Sequence, residues 1–204
     1  MIVYADFASA NCYLASVRVD RLIESGYPAP DWRAVEHRPG LPPAGFGLSG
    51  PARAVRCHTL VITRQILQPG EKFEARNTAF LPNTRAAITA FAEAYGAGVA
   101  DQARRALFDA YWVRGVNIGD PEILRTLLRP ILDGSRPDDG AAAQAGCAAG
   151  SPGAPHGAHL RVSEWQEEWL RLATPIDLTL VGPHLIECGR SALLRLASAR
   201  VLAA

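Results

Sequence analysis

Short β-prone runs alternate along the chain with longer stretches of helical spacing. Ile2-Val3-Tyr4-Ala5 reads as a strand, and from about Asn11 to Ser25 the apolar residues fall at helical intervals. Leu14, Val17, Leu22 and Ile23 share one face of that helix, while Arg18, Asp20, Arg21 and Glu24 are expected to face water. Gly26 and Pro28 stop it. A second strand is predicted over Trp32-Arg33-Ala34-Val35-Glu36-His37, with Trp32, Ala34 and Glu36 alternating with Arg33, Val35 and His37. Strand, helix and strand in this order predict a parallel β-α-β unit.

Pro39 to Pro51 is rich in proline and glycine and reads as a loop. Beyond it, Ala87, Ile88, Phe91 and Tyr95 predict a helix over Thr84–Tyr95, and Ala103, Leu107, Ala110 and Tyr111 predict another over Val99–Val113. Asp120-Pro121 caps a third, whose apolar stripe is Ile123, Leu124, Leu127 and Leu128. Residues 133–159 are dominated by Ala, Gly, Pro and Ser and lack the large apolar side chains that repay ordering, so a flexible loop is expected there. Ser163-Glu164-Trp165-Gln166 reads as a capping box opening a helix to Leu172, with Trp165, Trp169 and Leu172 on its core face. The tail reads as a strand over Ile176–Val181, a turn at Gly182-Pro183, a strand over His184–Glu187 and a final helix through Leu193, Leu194 and Leu196.

Composition narrows the function classes. Of 204 residues 49% are hydrophobic and 20% charged, and the net charge is +1, so the chain can bury a core but carries no field to recruit nucleic acid or an anionic membrane. Its apolar stretches fall short of the ~20 residues a membrane-spanning helix needs. The opening Met1-Ile2-Val3-Tyr4-Ala5-Asp6 has neither the basic start nor the apolar stretch of a secretory signal, which predicts a cytoplasmic protein. Cys12, Cys57, Cys147 and Cys188 are widely spaced with no C-x-x-C pair, so neither a zinc ribbon nor a disulfide framework is expected. Cys147 and His156 lie in the Ala/Gly-rich segment without the further ligands of a structural zinc site, and no metal is expected. Cys57-His58 is a thiol beside an imidazole, but adjacent residues on a helix or strand point apart. His37 and His184 read as structural or surface groups.

A β-α-β start and a β-β-α end, separated by helices, is the order of a thioredoxin-like α/β fold with an α-helical insertion. Asp6-Phe7-Ala8-Ser9-Ala10-Asn11-Cys12-Tyr13-Leu14-Ala15 resembles the active-site segment of the DsbA-like family, including 2-hydroxychromene-2-carboxylate isomerases and kappa-class glutathione transferases. Asn83-Thr84-Arg85-Ala86-Ala87, Leu107-Phe108-Asp109-Ala110-Tyr111-Trp112 and Asn117-Ile118-Gly119-Asp120 resemble the helical insertion of those families. Ala173-Thr174-Pro175 before a strand resembles the cis-proline loop. The resemblance divides the chain into a thioredoxin-like domain of residues 1–57 and 173–204 and a helical insertion of residues 58–172 that contains the flexible 133–159 segment.

Ser9 stands where those oxidoreductases carry the nucleophilic cysteine, leaving Ser9-Ala10-Asn11-Cys12. A hydroxyl cannot attack a disulfide at neutral pH, so ordinary dithiol exchange is not expected at this motif. At a helix N-terminus it can donate a hydrogen bond to a thiolate. The resemblance therefore implies a catalytic role for Ser9 in holding the sulfur of glutathione or another low-molecular-weight thiol. Thr174 and Pro175 would offer backbone groups to a peptide-like ligand, and Asp6 and Asn11 would flank it. The implied activity is a glutathione-dependent-type isomerisation or transfer on a small molecule, with neither nucleic acid nor membrane as partner and with room for a homodimer. Two alternatives stand beside it: an oxidoreductase using Cys12, alone or with Cys57 or Cys188, and a non-catalytic binding protein that kept the pocket. Each residue also has a local explanation, Ser9 as an N-cap, Cys12 as a buried apolar side chain, Asp6 as a strand-end residue and Tyr13 as a packing residue.

Overall fold

The computed structural model describes residues 1–134, 155–172 and 176–198. Four strands form a mixed sheet, β1 (Ile2–Ala5), β2 (Asp31–Ala34), β5 (Leu178–Gly182) and β6 (Leu185–Cys188), in the order β2-β1-β5-β6. β1 runs parallel to β2, with Ile2 opposite Asp31, and antiparallel to β5, with Ala5 opposite Leu178; β5 and β6 form the hairpin read from the sequence. The parallel pair is connected by α1 (Ala10–Glu24), as the β-α-β pattern requires. A two-stranded ribbon, β3 (Phe46–Gly47) with β4 (Phe80–Leu81), lies apart from this sheet.

Among the described residues the remaining helices are α2 (Gly50–Arg64), α3 (Arg85–Gly96), α4 (Ala100–Phe108), α5 (Pro121–Asp133), α6 (Pro155–Leu170) and α7 (Gly189–Ala197). A π-helical turn over Asp109–Val113 continues α4. Pleating sends alternate residues of β1 and β5 to opposite faces. On one face Tyr4 donates to Glu168 at 2.9 Å and Thr179 accepts from Trp169 Nε1 at 3.3 Å, both on α6. Val3 and Leu180 take the other face, where α1 and α7 lie against the hairpin. The protein is thus a mixed α/β structure whose central strand is buried on both sides.

Several expectations change once the elements are in place. The Pro39–Pro51 loop contains β3 and runs into α2, which has Pro51 in its first turn. Gly45 allows the ribbon to close: its φ is +80° and a Cβ there would stand 2.7 Å from the Leu81 carbonyl oxygen. The strand over Trp32–His37 ends at Ala34: Val35 N still donates to Ala5 O at 3.0 Å, and side chains then take over the backbone donors of Glu36 and His37. Gln166 Oε1 accepts from Glu36 N and Asp6 Oδ2 from His37 N, each at 2.8 Å.

Ser163-Glu164-Trp165-Gln166 is not a helix start. α6 begins earlier, at Pro155, because Ala158, Val162, Trp165 and Trp169 make one continuous stripe against the core. Residues 155–159 of the expected loop are accordingly helical, and the same stretch 133–134 closes α5; residues 135–154, with Cys147, lie outside the described residues, as does the side chain of His156. Arg18, expected in water, is fully buried, because helices cover both sides of α1 and supply its guanidinium with acceptors. The hairpin strands sit slightly later than expected, with the turn at Pro183-His184.

Candidate functional site

β1 ends where the sheet meets the N-terminus of α1, and the short link Asp6–Ser9 is fixed from several directions. Buried Asp6 accepts from Ala8 N and His37 N at 2.8 Å and from Thr84 Oγ1 at 3.3 Å. Burial pushes its carboxyl up, and these donors counter the shift. Asp6 therefore fastens the link to the end of β2 and the start of α3. Trp112 Nε1, from the π-helical turn, donates to Phe7 O at 2.9 Å. Stiffness here fixes where Ser9 stands.

Ser9 is the N-cap of α1, in extended backbone conformation, and its hydroxyl accepts from Cys12 N at 3.3 Å. The same hydroxyl donates to the carboxylate of Asp177, which immediately precedes β5. Asp177 was not singled out from the sequence; the one pointer to it is its place two residues after the Thr174-Pro175 segment. Cys12 is fully buried, and its thiol is held 2.7 Å from Asp177 O. Burial pushes this thiol well up, and the Asp177 charge adds to the effect. At neutral pH Cys12 is therefore a protonated, enclosed thiol. Native protein treated with iodoacetamide at pH 8 should carry label on exposed Cys57, whereas Cys12 should react only after denaturation; rapid native labelling of Cys12 would contradict its enclosure.

The structure separates Asn11 from this group, for its side-chain oxygen faces Thr63 Oγ1 of α2 at 3.4 Å. Thr174 and Pro175 lie outside the described residues. His37 is at the cleft wall, edge-on to Trp169 with ring centres 5.9 Å apart, and His184 is exposed in the hairpin turn. Among the described residues, no group of three or more His, Cys, Asp or Glu is arranged to hold a metal ion.

Ser9, Asp6 and Asp177 open onto a cleft of about 500 Å³ whose far wall is α2 and the β3–β4 ribbon. Phe46, Leu48 and Val55 make that wall apolar, while Arg38 and Arg56 bring cationic groups to it. Arg56 stacks on Trp112, with its guanidinium carbon 4.5 Å from the ring centre. A larger groove of about 960 Å³ runs between α3 and α5, and none of the described candidate residues lines it. The cleft at Ser9 therefore has the mixed apolar and polar lining of a small-molecule site.

Compared with known proteins, the sequence matches no family model and no curated protein. Among the described residues, no helix is long and apolar enough to cross a membrane.

Proposed function

We propose that this protein is a thioredoxin-like α/β enzyme of the DsbA-like kind, in which a small thiol such as glutathione binds at Ser9 for isomerisation or transfer on a small-molecule substrate. The sheet order β2-β1-β5-β6, with a parallel β-α-β unit and an antiparallel hairpin followed by a helix, supports the fold assignment. The observation that carries the functional reading is the contrast at the start of α1: Ser9 faces the cleft, while Cys12 is sealed behind it.

N–H groups in the first turn of a helix lack acceptors along the helix and favour a negative sulfur; in α1 Ser9 Oγ already takes that of Cys12, so the reading turns on those of Ala10 and Asn11. Ser9 has a single hydroxyl proton, given to Asp177. Binding a thiolate turns that proton from Asp177 to sulfur, so one acceptor replaces another. The redox alternative requires Cys12 as an accessible thiolate, and its burial and raised pKa oppose that role. A binding protein without turnover remains the comparison for any activity assay.

The test is native mass spectrometry after incubation with glutathione and other small thiols. The wild type should retain a thiol non-covalently, Ser9→Ala should lose about tenfold in affinity, as for one charge-assisted hydrogen bond, and Cys12→Ser should bind as the wild type does. A mixed disulfide that vanishes in Cys12→Ser would replace this reading with the redox one. No thiol retention by the wild type would sink the thiol reading altogether.

A further inference from the structure

Arg56 is the least well satisfied charge in the described part of the protein. It lies on α2, lines the cleft, and its Nε and Nη2 are buried with no hydrogen-bond partner. A buried donor without an acceptor is destabilising, more so when it is charged. Stacking on Trp112 and, at 5.2 Å, on Tyr111, together with a hydrogen bond between the guanidinium and the Tyr111 hydroxyl, offsets part of that cost but leaves Nε and Nη2 without an acceptor. Burial lowers the Arg56 pKa, Tyr111 counters the shift through its charge and hydrogen bond, and the positive charge of Arg38 adds to the lowering.

Neither Arg38 nor Arg56 forms an ion pair among the described residues, although two carboxylates line the same cleft. Those carboxylates are engaged elsewhere. Asp6 is turned to Ala8 N, His37 N and Thr84, and Asp177 to Ser9 and to Leu178 N. The cleft thus keeps its anions occupied and leaves two guanidinium nitrogens, Nε and Nη2, without an acceptor. Other buried arginines show the contrast: Arg18 and Arg104 each have carboxylate and carbonyl or hydroxyl acceptors.

We propose that the ligand of this cleft carries an oxyanion, a carboxylate or phosphate, which Arg56 binds through Nε and Nη2 with Arg38 at the rim. The inference rests on the reading of the cleft as a ligand site and adds the charge of what it takes. A guanidinium presents paired N–H donors in a planar fork that matches such a group. No hydrogen bond holds Nε or Nη2, so turning them toward a ligand breaks none. The oxyanion belongs either to the tail of the thiol or to the second substrate, and the two sources are separable.

The experiment is calorimetric titration of the wild type, Arg56→Met, Arg56→Gln and Ser9→Ala with 3-mercaptopropionate, 2-mercaptoethanol, benzoate and inorganic phosphate. The wild type should bind 3-mercaptopropionate about tenfold more tightly than 2-mercaptoethanol, from one charged hydrogen-bonded contact, and both Arg56 variants should abolish the difference. If instead the two thiols bind alike while benzoate or phosphate binds in an Arg56-dependent way, the proposal holds and the oxyanion is the second substrate's. Equal binding of every probe by the wild type and both Arg56 variants overturns it. Arg56-dependent anion binding with no effect of Ser9→Ala on either thiol keeps the oxyanion site and ends the thiol reading. Ser9-dependent thiol binding with no effect of Arg56 does the reverse. Thermal melts accompany the titrations: Arg56→Met, which removes an unsatisfied buried charge, should melt no lower than the wild type, and Arg56→Gln carries the test should the methionine variant fail to fold.

Discussion

Replacing Glu71 with alanine should lower the stability of the protein by about 3–5 kcal/mol, the cost of breaking a buried ion pair by removing one partner. Arg18 is 1% exposed and the Glu71 side chain 2% exposed, and their contact is two-pronged, Nε to Oε1 at 2.8 Å and Nη2 to Oε2 at 2.9 Å. The guanidinium also donates to Leu193 O at 2.6 Å and Ile66 O at 2.7 Å. It thereby joins α1, α7 and the segment that follows α2, so the loss spreads to three elements. A chain of this size shifts its midpoint by about 2–4 °C per kcal/mol, so the melting temperature should fall by on the order of 10 °C. The pH dependence has a definite sign. Burial pushes the Glu71 carboxyl up, but the hydrogen bonds from Arg18 and Gln68 N, with the nearby positive charges, outweigh it and hold the carboxyl below its ordinary value. A depressed folded pKa contributes stability above the unfolded value of about 4.3, lost as pH falls through the folded pKa. Urea melts should therefore show a constant gap between the wild type and Glu71→Ala above about pH 5, narrowing in acid. A gap of under 1 kcal/mol at neutral pH would mean that Arg18 is satisfied by the two carbonyls alone.

That ion pair also marks where sequence reading succeeds and where it stops. β1, α1, α3 and the terminal hairpin with α7 were legible because each buries one periodic set of residues, as Leu14 and Leu22 do on α1 or Ala87, Ile88 and Phe91 on α3. α2 was missed because its periodic signal is thin: only Leu60 and Thr63 are buried, and its length carries exposed Val55, Val61 and Ile62. Arg18 was placed in water because periodicity along one helix cannot tell which further helices will cover its polar side. Ser163 looked like a cap because a capping box is a local pattern, whereas the start of α6 is set by packing that begins at Ala158. At the site, Ser9 and Asp6 were legible from their own segment. Asp177 and Arg56 were not, since each meets that segment only through the fold.

Trp112 is where these separate elements meet, and Trp112→Ala should cost about 3–5 kcal/mol as a large cavity in a packed core. Its ring is 1% exposed, lies parallel to Tyr13 with centres 6.0 Å apart, and meets Tyr111 edge-on at 5.0 Å. The alanine variant is a poor test of function for that reason, whereas Trp112→Phe keeps an aromatic ring in the core and removes, with the pyrrole part of the indole, the N–H that binds Phe7 O. Leaving that carbonyl without its donor should cost about 1–3 kcal/mol and loosen the link that carries Ser9. The functional consequence follows from position: an untethered link lets Ser9 and the first turn of α1 move relative to Asp177 and Arg56, so the elements of the cleft no longer hold one spacing. Trp112→Phe should thus remain folded by circular dichroism while its affinity for small thiols falls several-fold, on the order of the 1–2 kcal/mol that a misplaced charge-assisted hydrogen bond forfeits. Wild-type thiol affinity in a folded Trp112→Phe would show that the tether stabilises the core without positioning the site, and the placement of Ser9 would then rest on Asp6 and its three donors alone.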